Sequence, residues 1–268
     1  MIKEAIAQLV ERKDLTQEEA QEVMGEIMRG EATPSQIGGF LAALRMKGET
    51  AEEIAGCARA MRAHVLRVET GRDDLVDACG TGGDGTFTFN ISTLAALVAA
   101  GAGLYVAKHC NRSISSRCGS ADLMEALGVK IELGPEALAR CINEVGIAFL
   151  FAPALHPAMK HAAPTRRELG VRTIFNILGP LTNPAFAPMQ LLGVFSPDMI
   201  ETMARVLGLL GSRRVLAVHG ADGLDELSTT GISRIAQLED GEVTTYTLDP
   251  RSLGLPPARL DDLRGGEV

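Results

Sequence analysis

A glycine-rich loop, Gly80-Thr81-Gly82-Gly83-Asp84-Gly85, follows a short apolar run at Leu75-Val76. The polar residues Asn90-Ile91-Ser92-Thr93 and an alanine-rich helical run come next. A strand that leads into a glycine turn ahead of a helix lets several backbone N–H groups converge on one phosphate. The helix dipole adds a preference for anions at the start of that helix. The spacing therefore predicts an anion-binding loop, with an ordinary tight turn as the alternative.

The glycine loop fits neither of two familiar nucleotide-binding patterns. It satisfies G-x-G-x-x-G, which is a weak signal by itself. A dinucleotide site needs an acidic residue about 20 residues further on, where this chain has the basic Lys108-His109. A Walker loop needs lysine at the position of Thr86. Asp84 would repel a bare phosphate, so we expect a metal ion or a sugar hydroxyl beside the loop.

A second stretch, Lys108 to Arg117, follows the next predicted strand and combines cations with serines. It precedes a helix that Ser120 is expected to cap. Cations, hydroxyls and backbone amides at a strand end suit a second anionic group. A surface basic loop is the alternative, and His109 taken alone is more typical of a structural histidine than of a catalytic one.

A third stretch, residues 164–173, contains Arg166, Arg167 and Arg172. The planar guanidinium group can grip a carboxylate through two hydrogen bonds. This stretch is therefore a candidate site for a carboxylate, although some of these arginines are expected to form structural ion pairs. The residues that follow, 175–184, are expected to form a rigid turn bounded by prolines.

A fourth stretch places Asp225-Glu226 shortly after the predicted strand Val215–Val218. Adjacent carboxylates at a strand end are hard oxygen ligands suited to Mg²⁺ beside substrate phosphates, and a solvated acidic turn is the alternative. No Ser-His-Asp order or activated cysteine stands out in the chain. This favours a reaction driven by positioning and electrostatics rather than by covalent catalysis.

The totals for the whole chain limit the class of protein. The 268 residues carry a net charge of −8, which argues against a general nucleic-acid or membrane-surface binder. Five widely spaced cysteines without a CxxC pattern favour reduced thiols over disulfides or a zinc site. No apolar run reaches the ~20 residues of a membrane span, and Met1 begins an amphipathic helix without a signal peptide. We therefore expect a cytoplasmic protein.

The elements that must position these residues divide into two predicted domains of an α/β protein. Residues 1–70 are expected to form a small helical domain for dimerisation, completed by a helical segment near 164–185. Thr16 with Glu19 and Thr50 with Glu53 form capping boxes, and Thr33-Pro34 starts another helix.

Residues 71–268 are expected to form a larger α/β domain with a mostly parallel central sheet, because short apolar runs alternate with helical patterns. The predicted strands include Leu75–Ala78, Tyr105–Ala107, Val129–Glu132, Ile147–Phe151, Leu191–Phe195 and Val215–Val218. Near the end, Ile232–Leu238 and Val243–Leu248 flank an Asp-Gly pair and predict a hairpin.

These motifs together resemble the anthranilate phosphoribosyltransferase family. The stretches that carry the resemblance are Gly80–Asp84, Asn90–Thr93, Lys108–Ser113, Gly119–Asp122, Arg166–Gly170, Asn176–Pro184 and Asp222–Glu226. The resemblance implies transfer of the phosphoribosyl group of 5-phosphoribosyl 1-diphosphate (PRPP) to the amino group of anthranilate, in tryptophan synthesis. It also implies a Mg²⁺-dependent homodimer that pairs through its helical domain. The net charge of −8 leads us to expect no nucleic-acid or membrane partner.

The resemblance also implies roles for individual residues. PRPP would be held by Gly80, Gly83, Asp84, Thr88, Asn90, Ile91, Ser92, Thr93, Lys108, His109, Cys110, Asn111, Arg112, Ser113, Ile114, Ser115, Ser116 and Ser120. Anthranilate would contact Gly80, Asn111 and Arg166, and Mg²⁺ would be positioned by Ser92, Asp225 and Glu226.

Two departures from the family pattern stand out. Cys110 takes a place that is usually glycine, so its side chain is expected either to narrow the anthranilate site or to distort the backbone. Family members also usually continue for several tens of residues beyond a stretch like Gly265-Gly266-Glu267. We therefore expect a C-terminally truncated chain with exposed apolar surface and reduced stability.

Two rival functions stay open at this point. One is a pyrimidine nucleoside phosphorylase of the same fold, which Asn176–Pro184 and Asp225-Glu226 disfavour. The other is a non-catalytic nucleic-acid-binding relative, which the net charge of −8 disfavours.

Overall fold

The computed structural model describes residues 1–112, 118–256 and 258–266, which form two compact units. The helical unit comprises Met1–Leu66 and Leu155–Thr182, and the sheet unit comprises Arg67–Ala154 and the described residues from Asn183 onward. In chain order the helices are α1 (Ile2–Val10), α2 (Gln17–Arg29), α3 (Pro34–Lys47), α4 (Ala51–Ala63), α5 (Ile91–Gly101), α6 (Ser120–Ala126), α7 (Pro135–Val145), α8 (Ala152–Leu155), α9 (Ala163–Leu169), α10 (Phe175–Leu178) and α11 (Ile200–Leu209). The strands are β1 (Leu75–Gly80), β2 (Tyr105–Cys110), β3 (Ile147–Phe151), β4 (Met189–Gly193), β5 (Arg214–Gly220), β6 (Ser233–Glu239) and β7 (Glu242–Leu248).

The helical unit begins its helices where the sequence pattern predicts. Thr16 and Thr50 form the expected capping boxes of α2 and α4, and Thr33 caps α3 ahead of Pro34. Each cap satisfies backbone N–H groups that have no partner inside the helix. The helix α2 ends at Gly30, which adopts the left-handed conformation that glycine allows.

The core of the helical unit forms between α2 and α4. Gly56 on α4 approaches α2 so closely that a Cβ atom there would lie 2.2 Å from the Gln17 carbonyl oxygen. The Glu53 side chain is fully buried and accepts hydrogen bonds from Lys47 Nζ (2.9 Å) and from the Leu15 N–H (3.0 Å). Pairing and hydrogen bonding of this kind are what allow a carboxylate to stay inside a packed core.

The sheet unit confirms the predicted α/β architecture with a mostly parallel sheet. Its seven strands lie in the order β3-β2-β1-β4-β5-β6-β7, and the first five are parallel. The chain crosses from β1 to β2 on one side and returns to β4 on the other. The switch point therefore lies between β1 and β4, where ligands of open α/β sheets usually bind beyond the strand ends.

The predicted hairpin is confirmed with small shifts in its bounds. β6 and β7 pair in antiparallel fashion from Ser233–Leu248 to Glu239–Glu242. Asp240 and Gly241 form the two-residue turn with φ values of 51° and 82°. Positive φ at both turn residues gives the twist that matches a hairpin.

Two local predictions were wrong. Residues 129–132 form no strand, because Ile131 alone is anchored there, packing against Met124, Phe149 and Phe151 beside the edge strand β3. Residues 175–184 are not a simple turn, since the short helix α10 leads into a 3-10 turn at Gly179–Leu181. Within the described parts of the chain, no helix is long and apolar enough to cross a membrane.

Candidate active site

The glycine loop and the acidic turn meet at the carboxyl end of the sheet. Asp225 lies after β5, yet its Oδ2 accepts a hydrogen bond from the Gly82 N–H at 2.8 Å. The Asp225 side chain is buried and lies close to Gly80, where an added Cβ would be 2.5 Å from Oδ2. The two motifs are 143 residues apart in the chain, and the order of the strands brings them together.

Gly193, the last residue of β4, makes this approach possible. A Cβ atom at this position would lie 1.6 Å from the Asp225 carbonyl oxygen and 2.7 Å from its carbonyl carbon. Backbone atoms cannot move aside as a flexible side chain can, so the site needs glycine here. Gly193 was not predicted to be a site residue, because nothing local in the sequence distinguishes it from other strand-ending glycines.

The turn that carries the acids is held in shape by Asp222, a residue to which the sequence alone assigned no role. Its carboxylate accepts hydrogen bonds from the hydroxyls of Ser228 and Thr230 and from the Leu224 N–H. These hydrogen bonds lower the pKa of Asp222, although its burial acts in the opposite direction. The turn is thereby fixed at both sides of Asp225.

Lys108 connects β2 to the start of α5. Its side chain is almost fully buried, and Nζ donates to the Ala78 carbonyl and to Ser92 Oγ (3.2 Å). The Ser92 N–H in turn donates to the Glu226 carboxylate. Lys108, Ser92 and Glu226 therefore form one network that joins both anion-binding motifs to the acidic turn.

The two acids hold their protons more tightly than free carboxyls do. Burial, followed by the charge of Asp84, raises the pKa of Asp225 to about 6. Burial, followed by the charge of Asp225, raises the pKa of Glu226 to about 8. Carboxylates crowded together away from water repel one another, and a bound cation relieves that repulsion.

The donor set fits Mg²⁺ better than a metal enclosed by protein ligands alone. Among the described residues, no group of three or more His, Cys, Asp or Glu side chains is placed to hold a metal by itself. Asp225 and Glu226 offer hard oxygen atoms and carry raised pKa values that a cation would lower. Mg²⁺ usually binds through one or two carboxylates and completes its shell with water and substrate phosphates.

The start of α5 is tied to the start of α6. Asn90 is the N-cap residue of α5, and its side-chain amide donates to the Gly119 carbonyl at 3.1 Å. Ser120 Oγ donates to the Asn111 carbonyl at 3.2 Å and accepts from the Asn111 N–H at 3.3 Å. Asn90, Asn111 and Ser120 therefore belong to one connected rim rather than to separate loops.

Arg112 lies at this rim but is engaged by acidic side chains of α6. Its Nη1 atom contacts Asp122 at 2.9 Å and Glu125 at 2.5 Å, and its guanidinium group stacks over Phe151. An anionic ligand would have to compete with these two carboxylates. The predicted PRPP contact of Arg112 stays a prediction.

The remaining predicted residues are distributed as follows. Asp84 accepts hydrogen bonds from Thr86, and Thr88 forms a β-bridge with Arg264. Ile91 begins α5, and Gly83 has a left-handed φ of 80°. The Thr93 hydroxyl is buried and has no hydrogen-bond partner among the described residues. Ser113, Ile114, Ser115 and Ser116 lie outside the described residues, and Arg166 lies in the helical unit, where burial lowers its pKa.

The backbone distortion expected at Cys110 is not observed, and narrowing of the anthranilate site stays a prediction. It is the last residue of β2, and its φ is not in the positive region that favours glycine. Its side chain is buried in an apolar cluster with Ala121, Met124 and Phe149. Burial raises the pKa of its thiol to about 12, so the thiol is un-ionised.

Replacing this cysteine by glycine, Cys110→Gly, is therefore expected to leave the KM for anthranilate within about twofold. The variant should lose about 1–2 kcal/mol of stability through the vacated volume and the added chain entropy. Cys110→Ala is the matched control, since it keeps Cβ and isolates the volume change. Steady-state kinetics and thermal unfolding measure both effects, and a fivefold change in the anthranilate KM would show that the side chain does reach the substrate.

Comparison with known proteins places this fold and site in a class. Residues 3–65 match the family model described as "Glycosyl transferase family, helical bundle domain", and residues 72–268 match "Glycosyl transferase family, a/b domain". The protein is thus a glycosyltransferase with a helical domain and an α/β domain.

Individual relatives narrow the class to one family. An anthranilate phosphoribosyltransferase of Moorella thermoacetica is 60% identical over 266 residues, covering 99% of this chain and 78% of the relative. The crystal structure of the Thermus thermophilus anthranilate phosphoribosyltransferase is 50% identical, with a TM-score of 0.92 over 98% of this chain and 78% of that one. The Saccharomyces cerevisiae enzyme in complex with PRPP and Mg is 29% identical, with a TM-score of 0.89 over 98% of this chain and 77% of that one. The chain belongs to the anthranilate phosphoribosyltransferase family.

Proposed function

We propose that the protein transfers the 5-phosphoribosyl group of PRPP to the amino nitrogen of anthranilate and releases diphosphate. The observation that carries this proposal is the meeting of the glycine loop, the start of α5, the end of β2 and the acidic turn in one unit. Relatives of 50–60% identity bear the name of this activity, and a yeast relative binds PRPP with Mg.

In this proposal the protein acts mainly on the leaving diphosphate. The glycine-loop amides and the α5 N-terminus bind its phosphate oxygens, where the helix dipole favours negative charge. The buried Lys108 ammonium adds positive charge in a region of low dielectric constant. As the bond from the anomeric carbon to diphosphate breaks, the amine forms its bond to that carbon and then loses a proton. No nucleophilic side chain is needed, because the charge is stabilised by groups already in position.

Asp225 and Glu226, with the Ser92 hydroxyl, are the residues we assign to Mg²⁺. When bound, the cation neutralises diphosphate charge and makes diphosphate a better leaving group. The Ser92 hydroxyl is already oriented by Lys108 Nζ at 3.2 Å, so the protein part of the site is formed in advance.

The assembly and location of the protein complete the proposal. The resemblance implies a homodimer that pairs through the helical unit, where Val10 and Met46 are 69% and 77% exposed. Gly80, Asn111 and Arg166 stay the candidate anthranilate contacts that the resemblance implies. The five free thiols agree with a reducing, cytoplasmic setting.

The test is the loss of anthranilate fluorescence on addition of PRPP and Mg²⁺, with diphosphate release measured in parallel. We expect both signals to depend on all three components. Phosphate with thymidine should give no base release, and a DNA shift assay at low salt should give no complex. Turnover of thymidine without turnover of anthranilate would overturn the proposal in favour of a nucleoside phosphorylase.

A further inference from the structure

Asp77 is a fully buried carboxylate in the central strand of the sheet, and nothing in the proposed reaction uses it. It lies on β1 between apolar neighbours and is 0% exposed. An apolar residue would fill this position at lower cost, since burying a carboxylate requires hydrogen bonds or opposite charge to compensate. We therefore expect the Asp77 carboxylate to hold a neighbouring group in place.

β1 and β2 separate at the level of Asp77. Within the described residues, the register of β1 with β2 covers Leu75–Tyr105 and Val76–Val106, although both strands continue. On its other side, β1 stays paired with β4 as far as Gly80–Gly193. The strands thus open on the β2 side, just before the residues that we assign to PRPP.

Side chains bridge the backbone groups in this opening. Asp77 Oδ1 accepts the hydrogen bond of the His109 N–H at 3.1 Å. Asn183 Nδ2 donates to the Ala107 carbonyl at 2.8 Å, and Lys108 Nζ donates to the Ala78 carbonyl. Buried backbone groups need partners, so these bonds replace the missing part of the β1–β2 ladder.

We propose that Asp77 is a positioning residue for PRPP binding, which holds the end of β2 by accepting the His109 N–H. This bond fixes the backbone on the far side of Lys108, whose ammonium reaches Ser92 beside the acidic turn. The assignment of PRPP as the substrate rests on the proposed function, whereas the role of Asp77 in holding the end of β2 does not. Burial raises the pKa of Asp77, and the hydrogen bond from Asn183 and the charge of Lys108 act in the opposite direction.

Asp77→Ala removes the oxygen that accepts the His109 N–H, whereas Asp77→Asn keeps an acceptor oxygen in a side chain of the same shape. We expect Asp77→Ala to raise the KM for PRPP at least about tenfold. The KM for anthranilate should stay within about twofold of the parent value. Asp77→Asn should stay within about threefold for both substrates. Cys79→Ala is the control, because the Cys79 thiol donates to Oδ2 of the same carboxylate at 3.5 Å, whereas the His109 N–H donates to Oδ1. The Cys79→Ala variant should be less stable than the parent and should have the same KM for PRPP.

Hydrogen exchange supplies a readout that does not depend on activity. Exchange of amides in residues 105–112 should quicken at least about tenfold in Asp77→Ala and stay near the parent rate in Asp77→Asn and Cys79→Ala. Equal effects of Asp77→Ala on both substrates, or unchanged exchange at the end of β2, would overturn the inference. If the parent protein fails to use PRPP, the proposed function fails, and the exchange rates still decide whether Asp77 positions this segment.

Discussion

Replacing both acids of the metal-binding turn by their amides, Asp225→Asn with Glu226→Gln, is expected to lower phosphoribosyl transfer at least about a thousandfold at saturating Mg²⁺. The amides keep the shape of the turn but remove the negative charge that recruits a divalent cation. Without that cation the diphosphate leaves with its charge poorly compensated, and stabilisation of such charge is commonly the largest part of catalysis.

The same variant is expected to be more stable than the parent when Mg²⁺ is withheld. The pKa values of Asp225 and Glu226 are raised to about 6 and about 8 by burial, with a further contribution from the charge of Asp84 on Asp225 and from the charge of Asp225 on Glu226. If the pKa of a carboxyl group is higher in the folded state than in the unfolded state, the folded state binds the proton more tightly. The resulting stabilisation is fully present below the unfolded-state pKa and is lost as the pH rises through the folded-state pKa. Metal-free parent protein should therefore lose stability between about pH 4 and pH 8.

Thermal unfolding in EDTA at pH 5 and pH 8 measures this effect. At pH 8 the unfolding temperature of the amide variant should exceed that of the parent by at least about 5 °C. The difference in Tm between the two proteins should be smaller at pH 5. Saturating Mg²⁺ should raise the Tm of the parent and not that of the amide variant. Glu239→Gln, at a half-buried acid on β6 that pairs with Arg214, is the control and should show neither change. An amide variant that retains Mg²⁺-dependent activity would remove this turn from the metal site.

Adding a single methyl group at the end of β4, Gly193→Ala, is expected to damage both stability and activity. The new Cβ would lie 1.6 Å from the Asp225 carbonyl oxygen, so either the acidic turn or the strand end must move. Forcing atoms into a packed site costs about 1–3 kcal/mol, and we expect the upper end because the contact is with backbone. A displacement of about 1 Å at the acids should also lower kcat/KM at least about a hundredfold.

Gly231→Ala provides a matched comparison in the same unit. An added Cβ there meets nothing within 4 Å, and the φ of Gly231 is not in the positive region. This variant should therefore keep parental stability within about 0.5 kcal/mol and parental Mg²⁺ affinity. Calorimetric titration with Mg²⁺ and thermal unfolding of both variants give the comparison. Parental Mg²⁺ affinity in Gly193→Ala would mean that the turn tolerates displacement.

The sequence by itself determined the features that depend on near neighbours in the chain. Caps such as Thr16 with Glu19 and the Asp240-Gly241 hairpin turn follow from residues at most four positions apart. The alternation of apolar runs with helical patterns was enough to predict a mostly parallel sheet. The order and content of the motifs were enough to predict the family, since each motif has its own chemistry.

Only the tertiary structure decided which distant residues meet. The bond from Gly82 to Asp225 depends on the order of β1, β4 and β5, which no local pattern encodes. Residues 129–132 show that a local pattern can also mislead. Their apolar pattern predicted a strand, but only Ile131 is buried in the core and no strand forms. The direction of the Cys110 side chain was likewise set by packing against α6 and β3.

The role of Asp77 shows most clearly where sequence reasoning ends. A single acid within an apolar strand was visible in the sequence, but its meaning depends on the opening between β1 and β2. Whether a buried carboxylate is tolerated depends on the donors that surround it, and these come from β2, from Cys79 and from Asn183. Residue types define which chemistry a chain can perform, and the fold decides which of those residues are close enough to perform it together.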